Sequence, residues 1–247
     1  LPFANFLLEL FMTLIDHALS PKIEQFVAQT KADAEHAFRV LRDTGTLAIN
    51  GTIQAVERVP NEDLLVGLVQ PGPFAADQSI TPVVLTFDGT VVAGPKIIGD
   101  PHGFAALLAR RPDITTAVHI HSTYLGAWSQ THRPLPINYV PVQRWTLASE
   151  IPVYIDRRQP QVDFILERLA ENPSTPAILE ANGGATVWGT RGFVKTIEYA
   201  QLIEEGAQFQ LLAEAIGGSK PFGPGVLEQQ FALSGLTEQA RAAGRLR

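Results

Sequence analysis

The stretch Arg111-Pro112-Asp113-Ile114-Thr115-Thr116-Ala117-Val118-His119-Ile120-His121-Ser122 decides how this chain is read. Pro112 stops a preceding helix, and Thr115 to His121 then has the pattern of a strand. Residues i and i+2 of a strand share one face, so both imidazoles of His119 and His121 could meet a single ion. Imidazole suits Zn, Fe, Cu and Ni, and two ligands on a rigid strand lose little entropy on binding. The competing reading is a polar strand face whose histidines only make hydrogen bonds.

Working outward, Ser20-Pro21 precedes a helical stripe from Ile23 through Phe26, Val27, Ala34, Ala37, Phe38 and Leu41, which Gly45 ends. Thr46 to Val59, Leu64 to Val69 and Val83 to Phe87 read as strands, and Asp88-Gly89 as a hairpin turn into Val91 and Val92. Asp100 as N-cap and Pro101 at the first helical position predict a helix over Phe104 to Arg110. After the His-x-His strand come a helix from Tyr124 to Gln130, a strand near Ile151 to Ile155 and a helix from Val162 to Ala170. Strands Ala177 to Leu179 and Ala185 to Trp188 precede a long helix from Phe193 to Ile216, ended by Gly217-Gly218. Mixed strands with helices on either side predict an α/β fold with a central, mainly antiparallel sheet covered by helices.

Composition narrows the function. The 247 residues are 45% apolar and 18% charged, enough for a large core and too apolar for a disordered tail. A net charge of −6 without basic runs disfavours a non-specific grip on nucleic acid. The absence of cysteine removes disulfides, thiolate zinc sites, iron–sulfur clusters and a Cys nucleophile. No stretch approaches the roughly 20 apolar residues that span a bilayer. The start has apolar residues at Phe3, Phe6, Leu7, Leu10, Phe11, Leu14 and Ile15, the stripe of an amphipathic helix rather than a secretory signal. Residues 1–22 are therefore expected to be an N-terminal extension to a single domain over 23–247. A cytoplasmic location is the default expectation. The only methionine is Met12, and the sequence leaves open whether the residues before it are native.

Asp100 has two readings. A helix N-cap is one, and an ionised carboxylate serving a metal or a proton transfer is the other, since a helix N-terminus favours the anion. His102 is a spare ligand or a first-turn surface residue. No G-x-S-x-G elbow, H-E-x-x-H or P-loop pattern is present, and the late glycines follow no strand that would make a dinucleotide fingerprint.

Arg111 to Ser122 resembles the R-P-D-x-x-x-x-V-H-x-H-S signature of the class II aldolase/adducin family. The run Ile178-Leu179-Glu180-Ala181-Asn182-Gly183-Gly184-Ala185-Thr186-Val187-Trp188-Gly189 is similar to that family's L-x-N-H-G-x-x-x-x-G segment. The long final helix with Gln208, Gln210, Leu211 and Gly217-Gly218 fits its C-terminal portion. The resemblance implies an αβα sandwich, a homo-oligomer, commonly a tetramer, with active sites near subunit interfaces, and a divalent metal held by three histidines with a carboxylate as acid/base. In the same alignment the third histidine falls on Gly183 and the catalytic glutamate on Asp100. Asn50-Gly51-Thr52 matches the phosphate loops only in part, and Gly99-Asp100 stands where Ser-Ser-Glu is expected.

Two histidines plus a carboxylate, His119, His121 and Asp100, form the ligand set of a non-haem Fe(II) site with open positions for a 2-oxo acid and O₂. Glu180-Ala181-Asn182-Gly183-Gly184 and Gly217-Gly218-Ser219-Lys220-Pro221-Phe222-Gly223-Pro224-Gly225 resemble the subgroup that makes 4-hydroxy-3-prenylbenzoate for aminocoumarin antibiotics. That resemblance implies an aromatic 2-oxo or hydroxy acid as substrate, with Tyr124, Tyr139, Arg144, Asn182 and Gly183 near it. Tyr124, Trp128, Tyr139 and Trp145 also suit an ordinary core. Arg144, Arg157 and Arg158 are each a carboxylate clamp or a solvated surface residue. The expectation is thus an enzyme, with Fe(II) favoured and Zn as the alternative, that oxidatively cleaves a C–C bond beside a carbonyl-bearing carboxylate. A redox-neutral aldolase or decarboxylase is the second reading, and a non-catalytic adducin-like scaffold the third. Neither nucleic acid nor membrane is expected as a partner.

Overall fold

The structure is a computed structural model that describes residues 14–16, 19–95 and 103–246. In chain order the elements are β1 (Leu14–Asp16), α1 (Pro21–Asp43), β2 (Ile53–Arg58), β3 (Leu64–Val69), β4 (Val83–Thr86), β5 (Val91–Pro95), α2 (Phe104–Arg110) and β6 (Thr116–Ile120). There follow α3 (Thr123–Ser129), β7 (Leu135–Pro136), α4 (Val140–Gln143), β8 (Glu150–Ile151), β9 (Val153–Tyr154), α5 (Gln161–Glu171), β10 (Ala177–Glu180) and β11 (Ala185–Gly189). Helices α6 (Phe193–Ala215), α7 (Val226–Ser234) and α8 (Thr237–Ala242) close the chain.

The chain divides into two compact units, one running up to Ile120 with Trp188–Thr196, the other holding His121–Val187 and everything from Ile197 onward. In the first, Ser20 accepts a hydrogen bond from the Ile23 N–H at 3.4 Å and Pro21 opens α1 with its φ already set. The helix buries Ile23, Ala34, Ala37, Phe38 and Leu41, one stripe at helical spacing. Six strands of the central sheet lie here in the order β1-β5-β4-β3-β2-β6, each antiparallel to its neighbour. Strand β6 is buried along its whole length, His119 included. In the second unit the order is β11-β10-β9, with β10 antiparallel to β11 and parallel to β9. The fold is therefore α/β with a central, mainly antiparallel sheet. Among the described residues no helix is long and apolar enough to cross a membrane.

Four local expectations are corrected. Leu14 and Ile15 belong to β1, not to an amphipathic helix, because the free edge of β5 offers backbone partners at Gly94 and Pro95. The rest of that predicted helix, Phe3 to Phe11, lies outside the described residues. Helix α2 begins at Phe104, and its N-cap position is held by Gly103 at φ 69°, while Asp100, expected there, lies outside the described residues; glycine enters the left-handed region without the steric cost other residues meet there. The strand expected from Thr46 starts only at Ile53, after a turn in which the Gly51 N–H donates to the Ala48 carbonyl at 2.8 Å. Pro152, without an N–H, parts the expected Ile151 to Ile155 strand into β8 and β9.

Candidate metal and substrate site

His119 sits inside β6 opposite Gln54 of β2 and is buried. Strand β6 ends at Ile120, and His121, half-buried, is the first residue beyond it. Ser122 then begins α3, but its hydroxyl does not cap that helix. It donates instead to Glu204 of α6 at 2.7 Å. The same carboxylate accepts the N–H groups of Tyr124 at 2.7 Å and Leu125 at 2.8 Å. Glu204 thus satisfies two donors that every helix N-terminus leaves over, from a remote helix. Burial holds its carboxyl above the ordinary range, and these hydrogen bonds offset only part of that rise. The positive end of α3 favours the ionised form as well. The residues that follow His121 are consequently pinned to α6.

Helix α3 carries the next part of the site. Gly126 has no side chain, and a first side-chain carbon there would stand 3.5 Å from the Gly183 carbonyl oxygen. Ser129 donates to the Gly126 carbonyl at 2.8 Å and to the Gly183 carbonyl at 3.3 Å. The turn joining β10 to β11 is closed by Gly183 N–H donating to the Glu180 carbonyl at 2.8 Å. At its tip Asn182 is left-handed, φ 59°, with its Oδ1 2.7 Å from His132 Nε2 and its Nδ2 donating to Gln130 at 2.8 Å.

Beside this turn stands Arg157. Its Nη1 donates to Glu180 Oε2 at 3.1 Å, its Nη2 to the Ala181 carbonyl at 3.1 Å, and its guanidinium lies 4.9 Å over the Tyr154 ring. Glu180 is buried and also accepts from Gln161 at 3.1 Å and Thr186 at 2.8 Å. A side chain built on Gly183 would approach Arg157 Nη2 at 3.4 Å.

Of the residues predicted from sequence, Asn182 and Gly183 share the turn packed on α3, and Tyr124 lies in the first turn of α3 with its hydroxyl accepting from Gln208 at 3.0 Å. Tyr139 and Arg144 make their contacts elsewhere. Tyr139 donates to Glu205 at 2.7 Å, and burial with that neighbouring carboxylate pushes its phenol up to about 12. Arg144 donates to Gln230 of α7 at 2.6 Å. Trp128 is buried in the core, and half-buried Trp145 stacks on Tyr199. Asp100 and His102 lie outside the described residues. Glu204 and Glu180 carry no local signal in the sequence, since each reads as one more acid in an element whose buried partners are many residues away.

The donor set determines what ion can bind. Two imidazoles are borderline nitrogen donors that suit a divalent ion such as Zn or Fe, whereas Mg and Ca prefer oxygen. Among the described residues there is no cluster of three His, Cys, Asp or Glu, and Gly183 supplies no donor. The two imidazoles present fit a divalent transition metal.

Residues 75–211, more than half of the chain, match the Class II Aldolase and Adducin N-terminal domain. The chain is 29% identical over 150 residues to the probable L-ribulose-5-phosphate 4-epimerase UlaF of Mycoplasma pneumoniae (strain ATCC 29342 / M129 / Subtype 1), a match covering 54% of this chain and 61% of that protein. It thus spans less than two thirds of the length of that curated relative. The L-fuculose 1-phosphate aldolase from Glaciozyma antarctica PI12 superposes with a TM-score of 0.63 at 20% identity, covering 92% of this chain and 91% of the other. YgbL from Klebsiella pneumoniae, described as a putative aldolase/epimerase/decarboxylase, gives 0.62 at 21% identity over 83% of this chain and 98% of its own. Both structures share the fold. With the His-x-His strand and the mainly antiparallel sheet already in place, the domain match shows that the chain belongs to the class II aldolase and adducin family.

Proposed function

We propose that this protein is a metal-dependent enzyme that breaks or re-forms a C–C bond beside the carbonyl of a small-molecule substrate, as an aldolase, epimerase or decarboxylase does. The observation that carries this reading is the His119-x-His121 pair at the end of β6, followed directly by residues that Glu204 locks in place. His119 and His121 would hold a divalent ion, which would supply Lewis acidity toward a substrate carbonyl. The chain's own part is to keep the ligand-bearing segment still. Asp100 is the proposed third ligand or the acid/base group that exchanges a proton with the substrate. The proposed assembly is a homo-oligomer.

One observation favours a second reading, oxidative cleavage of an aryl 2-oxo acid with Fe(II) and O₂. Gly183 brings no third imidazole, and the space beside it belongs to Arg157. Fewer protein ligands leave more positions open, which an oxygenase uses for both substrate and O₂. Metal analysis of the purified protein, followed by incubation with 4-hydroxyphenylpyruvate, L-ribulose 5-phosphate and L-fuculose 1-phosphate in air and under argon, separates the readings. Turnover that persists under argon supports the lyase. Turnover that stops under argon with matching O₂ uptake in air supports the oxygenase. Failure to take up stoichiometric Zn or Fe overturns both in favour of a non-catalytic scaffold.

A further inference from the structure

We propose that Arg157 is the residue that binds a carboxylate of the substrate, and so selects an acid over its neutral analogues. The inference rests on the functional reading above only for placing that carboxylate on a substrate rather than on an effector. Three arginines in this part of the sequence have the chemistry for such a clamp, and their contacts separate them. Arg158 spends its fork on Asp156, with contacts of 2.8 and 2.7 Å, and is 91% exposed. Arg144 is turned to Gln230.

Arg157 differs in being both anchored and unfinished. Its two protein bonds use one hydrogen on each terminal nitrogen. The Nε–H and one further hydrogen on each terminal nitrogen remain, and the side chain is 49% exposed. Buried Glu180 and the Tyr154 ring hold the guanidinium in one orientation, which lowers the entropy lost when a ligand binds. Glu180 shares its charge with the Gln161 and Thr186 donors, so it neutralises the guanidinium only in part.

The surroundings fit a ligand. Gly183 contributes no side chain beside Nη2, where a single carbon would already stand 3.4 Å from Nη2 and 3.4 Å from the Glu180 carbonyl oxygen, so a ligand reaches the guanidinium from its exposed side. The turn carrying Gly183 packs against Gly126 of α3, whose N–H donates to the Ser122 carbonyl. One helical turn, about 5.4 Å, thus separates the turn's contact point from the neighbour of His121. A planar carboxylate matches a single planar fork in two parallel hydrogen bonds. A phosphate dianion carries more charge than one partly neutralised guanidinium balances.

The test is calorimetric titration of the zinc-loaded full chain with 4-hydroxyphenylpyruvate and with its methyl ester. Wild type is expected to bind the acid about tenfold to a hundredfold more tightly than the ester, the range of a charge-assisted pair. Arg157→Lys keeps the ion pair with Glu180 but loses the fork, and most of that preference should go. Arg157→Gln with Glu180→Gln leaves no unpaired buried charge, and this folded double variant should bind acid and ester alike. A preference for the acid that survives in the double variant, or is absent from wild type, overturns the proposal. Displacement of the acid by equimolar inorganic phosphate overturns the assignment to a carboxylate. Zinc content and bond cleavage, measured on the same wild-type samples, report separately on the proposed reaction. Arg157-dependent acid binding without cleavage would sink that reading and leave this one standing.

Discussion

The Ser122 hydroxyl donates to Glu204 Oε2 at 2.7 Å, a bond that joins residues 82 apart in the chain. Since the same carboxylate takes the Tyr124 and Leu125 N–H groups, one side chain of α6 holds the whole entrance to α3. Glu204→Gln keeps the volume but replaces one acceptor by a donor and removes the charge at the helix N-terminus. A stability loss of about 1–3 kcal/mol is expected, the cost of leaving buried donors unsatisfied. Zinc affinity should also fall, by roughly tenfold or more, because supporting residues orient the ligands. Urea denaturation and a competitive zinc titration check the two effects. Lost stability with unchanged zinc affinity would make Glu204 a helix cap and nothing more.

Glu57 of β2 makes stability depend on pH. It accepts from the Thr116 hydroxyl and from the Phe193 N–H at the start of α6, and burial pushes its carboxyl up to about 7. A raised acid binds its proton more tightly when folded. Its contribution is therefore fully present below the unfolded value near 4.5 and is lost as pH rises through about 7. The size is about 3 kcal/mol at 1.36 kcal/mol per unit. Denaturation at pH 5 and pH 8 should show the wild type losing stability across this window. Glu57→Gln should flatten that loss, and an unchanged slope in the variant would place the titration elsewhere.

What the sequence made legible follows from the range of each interaction. The strands around His119 are short runs bounded by turn residues and the α1 stripe is a period-3.6 pattern, each written within a few residues, and they stand close to where expected, β6 ending at Ile120. The Asp100-Pro101 signal marked a helix start without fixing its boundary: Gly103, free to turn left-handed, stands before Phe104, and Asp100 itself lies outside the described residues. Helices α7 and α8 have no counterpart among the elements expected, which stop at the glycines and prolines that precede them. The Glu204 cap and the Arg157–Glu180 pair depend on residues brought together by the sheet and by α6. No window of sequence contains them.

His121→Ala tests the ion directly. If the two imidazoles hold it, elemental analysis should show stoichiometric zinc or iron in the loaded wild type and its loss in the variant. Thermal stability without metal should change little, since His121 lies beyond the end of β6 and is only half-buried. Full metal content in the variant would remove His121 from the ligand set.

Gly183→His asks whether the third imidazole that the resemblance implies can be placed at this position. The backbone does not oppose it, since Gly183 is not among the left-handed glycines. The obstacle is space: a side chain would meet Arg157 Nη2 and the Glu180 carbonyl, each at 3.4 Å. Nη2 is the far end of a flexible side chain and can move, whereas the carbonyl cannot, so a cost of about 1–3 kcal/mol is expected. With the imidazole in place, zinc should bind more tightly and any O₂-dependent turnover should fall, because an open position is filled. Acid binding should weaken in the same variant, since the new side chain crowds the guanidinium. Competitive zinc titration, O₂ uptake and the acid–ester comparison read the three effects independently. A folded variant with unchanged zinc affinity would show that residue 183 does not face the ion, and would remove the argument for an oxygenase with it.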